Sequence, residues 1–337
     1  MTEYDDRRPT TGGLTAAIVA SAAVGVLAVG AALYGPPGLG ALGFGTAEPT
    51  PSGASAPAAS APAYATEEYG RRLLAHTAEL LGQDQPNPGL RYINSRLNCG
   101  SCHLATGTEP GTLTLLQTDE HYPRFSGRAG GMTDIEDRIN ECMQRSMNGR
   151  TLSMDSPEMF AMASYLRSLG SQYQAMGASG LKAKEPAPFK TPVRAADVAK
   201  GQLVYSTRCG ICHGSDGLGL LATEDPGQGY LFPPLWGSDS FNNGAGMHRV
   251  LTAARFIKAR MPLGEATLTD GEAFDVAAFI NSKPRPEMTD LERDYPDKSA
   301  KPIDNPYGPY ADDFPLEQHR FGPFQQIDEY YKALKKK

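Results

Sequence analysis

Cys99-Gly100-Ser101-Cys102-His103 decides how this chain is read, together with its echo at Cys209-Gly210-Ile211-Cys212-His213. A Cys-x-x-Cys-His run is the attachment pattern of c-type haem. The spacing follows from the chemistry. Two thiols must reach the two vinyl groups on one edge of a porphyrin, and the adjacent histidine then turns beneath the ring to ligate iron. For a single motif, a redox dithiol or half a zinc site competes with this reading. Two copies, each after a helical pattern, favour two covalently bound haem c groups, with Cys99, Cys102, His103, Cys209, Cys212 and His213 holding them.

Each iron needs a second axial ligand, drawn from histidine, methionine or a cysteine thiolate. Past the second motif, Met261-Pro262 closes a predicted helix. Methionine is often core filler, but here the ligand reading is preferred, with Met247 as the alternative. Arg260 is excluded because a guanidinium does not lose its proton. Past the first motif there is no Met-Pro. The segment EDRINECMQRSMNGR carries Cys142 instead, the fifth and unmatched cysteine. A buried, inert thiol is the ordinary reading of such a residue. A free thiol in an oxidising compartment is a liability unless something holds it, and Cys142 stands where a distal ligand belongs. His121, Met132, Met143 and Met147 are the alternatives.

The residues around Cys142 add chemistry. Arg138 and Ser146 lie four positions before and after it and so share a helix face with it. Arg145, Arg124, Ser126 and Arg128 are close in sequence. A solvated face, or contacts to haem propionates, accounts for some of these arginines. A thiolate among several guanidinium groups also outlines an anion site beside a haem.

Outward from the motifs, the chain divides. It has 337 residues, room for about two domains. Residues 14–34 are apolar and uncharged and follow Arg7-Arg8, which predicts a membrane anchor or export signal within 1–35. Residues 36–66 are rich in Pro, Ala, Gly and Ser and read as a spacer. Two haem domains then fall at 67–180 and 194–283, joined by a linker at 181–193 and followed by a tail at 284–337. Both domains run helix, motif, long loop, helix, helix. The spacing predicts helices over 66–81, 156–169, 197–206, 246–260 and 270–282, with no convincing strands. The tail has little periodicity and is expected to wrap over the domains. Trp236 is expected against the second haem, and His76 and His248 at the surface or on propionates. The fold class is therefore all-α, two class I cytochrome c-like domains in tandem. The net charge of −6, without a basic stripe, excludes a nucleic-acid partner and suits docking to a basic acceptor cytochrome.

With these residues in hand, DRINECMQRSMNGR, the two haem motifs, FNNGAGMHRVLTAARFIKARMPLG and YGPY…FGPF resemble the dihaem thiosulfate dehydrogenases over about 67–327. The resemblance implies a tetrathionate-forming enzyme, in some members reversible, that couples two thiosulfates and passes electrons to a redox partner on the extracytoplasmic side. It implies His103 and Cys142 on an active-site haem, and His213 and Met261 on a relay haem. It carries substrate contacts to Arg138 and Ser146, and more loosely to Arg128 and Ser126. Some members have a lysine before the methionine; Arg260 stands there, which implies that this ligand switch is absent. Competing readings are a dihaem electron carrier without its own substrate, a sulfur-oxidation cytochrome acting on a carrier protein, and, last, a dihaem peroxidase.

Overall fold

The first helix, α1 (Glu67–Ala75), starts where Thr66 accepts a hydrogen bond from the Tyr69 N–H at 3.1 Å, with Glu67 and Glu68 favourable in the first turn. The computed structural model describes residues 65–177 and 188–335. The anchor expected over 14–34, nearly all of the spacer and most of the linker lie outside the described residues. Among the described residues no helix is long and apolar enough to cross a membrane.

The single helix expected over 66–81 is broken at His76 into α1 and α2 (Thr77–Leu81). The break has a use. The Thr77 hydroxyl donates to the Leu73 carbonyl at 2.7 Å and accepts from the Cys99 N–H at 3.0 Å, which ties the helix pair to the first haem motif. Next, α3 (Ile135–Arg145) opens on a capping box made by Asp134 and Asp137. It is followed by α4 (Pro157–Met176), capped by Ser156 with Pro157 in its first turn. α1 crosses α4 so closely that a Cβ on Gly70 would sit 2.0 Å from the Ala161 carbonyl oxygen. Leu73, Leu81, Met159 and Leu169 fill the core beneath that crossing.

The second domain repeats the device. It comprises α5 (Val198–Arg208), α6 (Gly210–His213), α7 (Val250–Arg260) and α8 (Asp270–Asn281). A Cβ on Gly201 of α5 would lie 2.0 Å from the Asp275 carbonyl oxygen of α8. Two glycines at equivalent helix crossings are the physical content of the internal duplication. Arg194 fixes the second crossing with two hydrogen bonds to the Asp275 carboxylate, at 2.6 and 2.9 Å.

Two further features depart from the expectation. Two small antiparallel hairpins occur, β1 (Arg124–Ser126) with β2 (Gly131–Thr133), and β3 (Leu220–Leu221) with β4 (Tyr230–Phe232). Each strand has at most three residues, too few to show alternation in the sequence. The tail also ends in regular structure, α9 (Leu316–Phe321) and α10 (Gln325–Leu334). Its Phe321, Phe324, Ile327 and Tyr331 recur every three or four residues and join the second core. His319 is buried between Ile303, Asp312 and a stacked Tyr310 ring 3.7 Å away.

The halves meet along the end of α3. The Asn242 N–H donates to the Arg145 carbonyl at 3.1 Å, and its amide donates to the Gln144 carbonyl at 2.8 Å. Arg260 reaches from the end of α7 to Glu109 at 2.9 Å and to the Pro110 carbonyl, in the loop after the first motif.

Candidate active site

In the first motif, Cys99 and Cys102 stand around a short 3₁₀ turn anchored by Asn98, whose side chain also accepts from the Ala78 N–H at 2.9 Å. Burial pushes the Cys99 thiol up to about 12 and the Cys102 thiol up to about 11, so both are held neutral. The His103 Nδ1 donates to the Leu113 carbonyl at 2.7 Å. That bond fixes the ring and leaves its other nitrogen open, and the ring stands near enough to Cys142 to help lower its thiol.

Cys142 differs from the motif cysteines. Burial alone would raise its thiol, but the Arg138 guanidinium one helical turn earlier and the His103 ring together draw it below its ordinary value. Arg138 is raised in turn, chiefly by the Cys142 thiolate. Ser146 follows as the cap of α3, its N–H donating to the Cys142 carbonyl at 2.9 Å.

All of these groups line one cavity of ≈ 480 Å³. That volume suits a cofactor-sized ligand. Cys99, Cys102, His103, Ser126, Arg128, Arg138, Cys142 and Ser146 share it. Five arginines line it (Arg124, Arg128, Arg138, Arg145 and Arg249) against one carboxylate, Glu141. Glu141 is shared, 2.9 Å from Arg138 and 3.9 Å from Arg128. Arg145 is paired with Asp294 at 2.7 Å, and Arg249 with Asp304 at 2.8 Å. The Nε atoms of Arg128 and Arg145 are buried without a hydrogen-bond partner. Buried donors left open around two thiols and an oriented histidine fit a haem with anionic propionates and leave cationic charge for a small anion.

The alternatives to Cys142 sort themselves by position. Met132 is 65% exposed, His121 is exposed and turned to the Gln117 carbonyl, and Met143 is sealed in the first core. Met147 lines the cavity beside Cys142.

In the second domain the His213 Nδ1 donates to the Pro233 carbonyl at 2.8 Å, and burial lowers the ring's pKa, which favours the neutral, ligating form. Cys209 and Met261 pack partly buried against the second core. Met247 packs there too, but it also lines the first cavity. Trp236 sits in the second core, 4.9 Å from Tyr205 and 5.8 Å from Phe279 between ring centroids. His248 is partly buried, its Nδ1 donating to the Asn243 carbonyl at 2.9 Å, and burial and the nearby Arg285 push its pKa down to about 4.

The sequence did not mark Phe241, Arg249, Thr252 or Tyr295 as site residues, although they complete the cavity wall. Asp294, behind that wall, was also missed. They come from the second domain and the tail, and no local spacing links them to Cys142.

Two cytochrome c domains in tandem, one with a thiol and arginines facing its haem motif, define an oxidoreductase built on a c-type cytochrome frame. Residues 94–174 match the cytochrome c domain model of SoxA/TsdA proteins, and residues 196–280 match the model of cbb3-type cytochrome c oxidase subunit III. Thiosulfate dehydrogenase of Allochromatium vinosum is 39% identical over 222 residues, 64% of this chain and 77% of that one, and that of Stutzerimonas stutzeri is 39% identical over 200 residues, 58% and 62%. The solved thiosulfate dehydrogenase (TsdBA) of Marichromatium purpuratum, in its as-isolated form, superposes with a TM-score of 0.56 at 33% identity, covering 66% of this chain and 47% of that one. The chain belongs to the thiosulfate dehydrogenase family.

Proposed function

We propose that this enzyme oxidises thiosulfate, coupling two molecules to tetrathionate, and delivers the electrons through two haem c groups to a separate redox protein. The observation that carries the reading is the thiolate-prone Cys142 facing His103 inside an arginine-lined cavity. His103 and Cys142 would hold the iron of the first haem, and His213 and Met261 that of the second, with Met247 the alternative. When bound, haem c supplies one-electron redox chemistry, so two groups together match a two-electron coupling.

The protein's own groups do the rest. Arg138 and Arg128 receive the sulfonate oxygens of the dianion, and Ser126 and Ser146 donate hydrogen bonds beside them. Cys142 forms a bond to the sulfane sulfur of the first thiosulfate, which gives Cys–S–S–SO₃⁻ and releases two electrons. The sulfane sulfur of a second thiosulfate then attacks the sulfane sulfur held on Cys142. The Cys142–sulfur bond breaks, the thiolate returns, and tetrathionate leaves. The reverse reaction uses the same contacts. The protein acts on the extracytoplasmic side, tethered to the membrane through residues 14–34.

The test is stoichiometric. Haem-loaded protein, thiosulfate and a one-electron acceptor should yield two reduced acceptors per tetrathionate. Reducible haems without turnover would contradict the proposal.

A further inference from the structure

We propose that Asp294, in the C-terminal tail, is the positioning residue that aims Arg128 into the cavity, so that the tail sets the affinity for the thiosulfate dianion. The inference rests on the reading of Arg128 as a substrate contact.

Arg128 lies in the turn between β1 and β2, a short hairpin whose paired Phe125 and Met132 are 64% and 65% exposed. Such a hairpin does not hold a long cation still by itself. The tail holds it from behind. The Tyr295 N–H donates to the Arg128 carbonyl at 2.9 Å, and the Arg128 guanidinium lies over the Tyr295 ring, 5.8 Å from its centroid. The hairpin glycines are seated against the same stretch. A Cβ on Gly130 would meet Pro296 at 2.8 Å, and one on Gly127 would meet Ala300 at 3.2 Å.

Asp294 supplies the charge. It is 7% exposed, and its carboxylate accepts two hydrogen bonds and faces a third group as an ion pair. Arg145 donates to one oxygen at 2.7 Å. Tyr307 donates its hydroxyl to the other at 2.7 Å, and the Arg128 Nε lies 3.9 Å from that same oxygen. The Arg128 Nε makes no hydrogen bond, so Asp294 orients the group by charge from behind, while Glu141, at the same 3.9 Å from another guanidinium nitrogen, acts from the cavity side. Tyr295 has φ 56°, the left-handed region that bulky residues rarely occupy. The strained residue is the one whose N–H and ring meet Arg128, directly after the Asp294 carboxylate, and it marks a backbone shaped for that contact.

The test is a mutant cycle on the full haem-loaded protein, read as thiosulfate KM and kcat with the first haem's absorption spectrum as a control. Asp294→Asn should raise KM about tenfold with kcat within about twofold, the pattern of lost ground-state binding. Arg128→Ala should raise KM at least as much, and Asp294→Asn added to it should have no further effect. Tyr307→Phe keeps the Asp294 charge and its pairing with Arg145, so it tests the same contact should Asp294→Asn fail to fold. It should raise KM about threefold, and that rise too should vanish in Arg128→Ala. If the Asp294 and Tyr307 effects persist undiminished in Arg128→Ala, Asp294 acts through Arg145 and the fold, and the inference is overturned while the substrate reading of Arg128 stands. An unchanged KM in Arg128→Ala would overturn that reading and the inference with it.

Discussion

Arg138 stands one helical turn before Cys142 and is the strongest influence drawing its thiol below the ordinary range. If it also receives the substrate, Arg138→Ala should raise thiosulfate KM roughly tenfold or more, because a charge-assisted contact to a dianion is lost. Steady-state kinetics checks this, and an unchanged KM would remove Arg138 from the site. This residue was legible in the sequence because its relation to Cys142 is local: positions 138, 142 and 146 fall together on any helix. Asp294 was not legible. Its bond to Arg145 spans 149 positions, and nothing in the composition of a Pro- and Asp-rich tail distinguishes one carboxylate from another. Met247 shows a different limit. The sequence offered it as an alternative ligand for the second haem, and it lies between the first cavity and the second core because Gly246–His248 forms a short turn ahead of α7.

At the scale of elements, the tail was expected to cover the domains, and it does so with structure the sequence reading passed over. Its buried aromatics follow a helical period, but prolines and glycines interrupt the run and hide it. The tail also carries a buried cation. Lys301 is 4% exposed and donates to the carbonyls of Tyr307 at 3.1 Å and Pro309 at 2.9 Å. Burial, helped by the nearby Lys298, pushes its pKa down to about 8. Between about pH 8 and 10 the unfolded chain keeps a proton there that the folded chain has released, so stability rises with pH over that window, by at most about 3 kcal/mol. Thermal melts at fixed ionic strength should show the rise in the natural protein, and Lys301→Met should flatten it. An equal slope in both would place the cause elsewhere. The broken first helix has a comparable origin. The hydropathy pattern runs on across His76, and only the tertiary demand of Thr77 on the haem motif interrupts it.

For the whole molecule, the duplication sets the frame and the differences between the copies set the chemistry. Each half places a Cys-x-x-Cys-His motif after a helix pinned through glycine to a later one. The cavity at the first motif gathers five arginines, one of them Arg249 of the second half, and a free thiol, in a chain whose net charge is −6. The second half and the tail close that cavity with Phe241, Arg249 and Tyr295, so the site belongs to the assembled molecule rather than to one domain. In the proposed coupling the Cys142 sulfur takes part directly. Cys142→Ala, prepared with both haems attached as judged by its absorption spectrum and haem content, should lose nearly all tetrathionate formation from thiosulfate. Turnover near that of the natural enzyme, with both haems intact, would contradict the account.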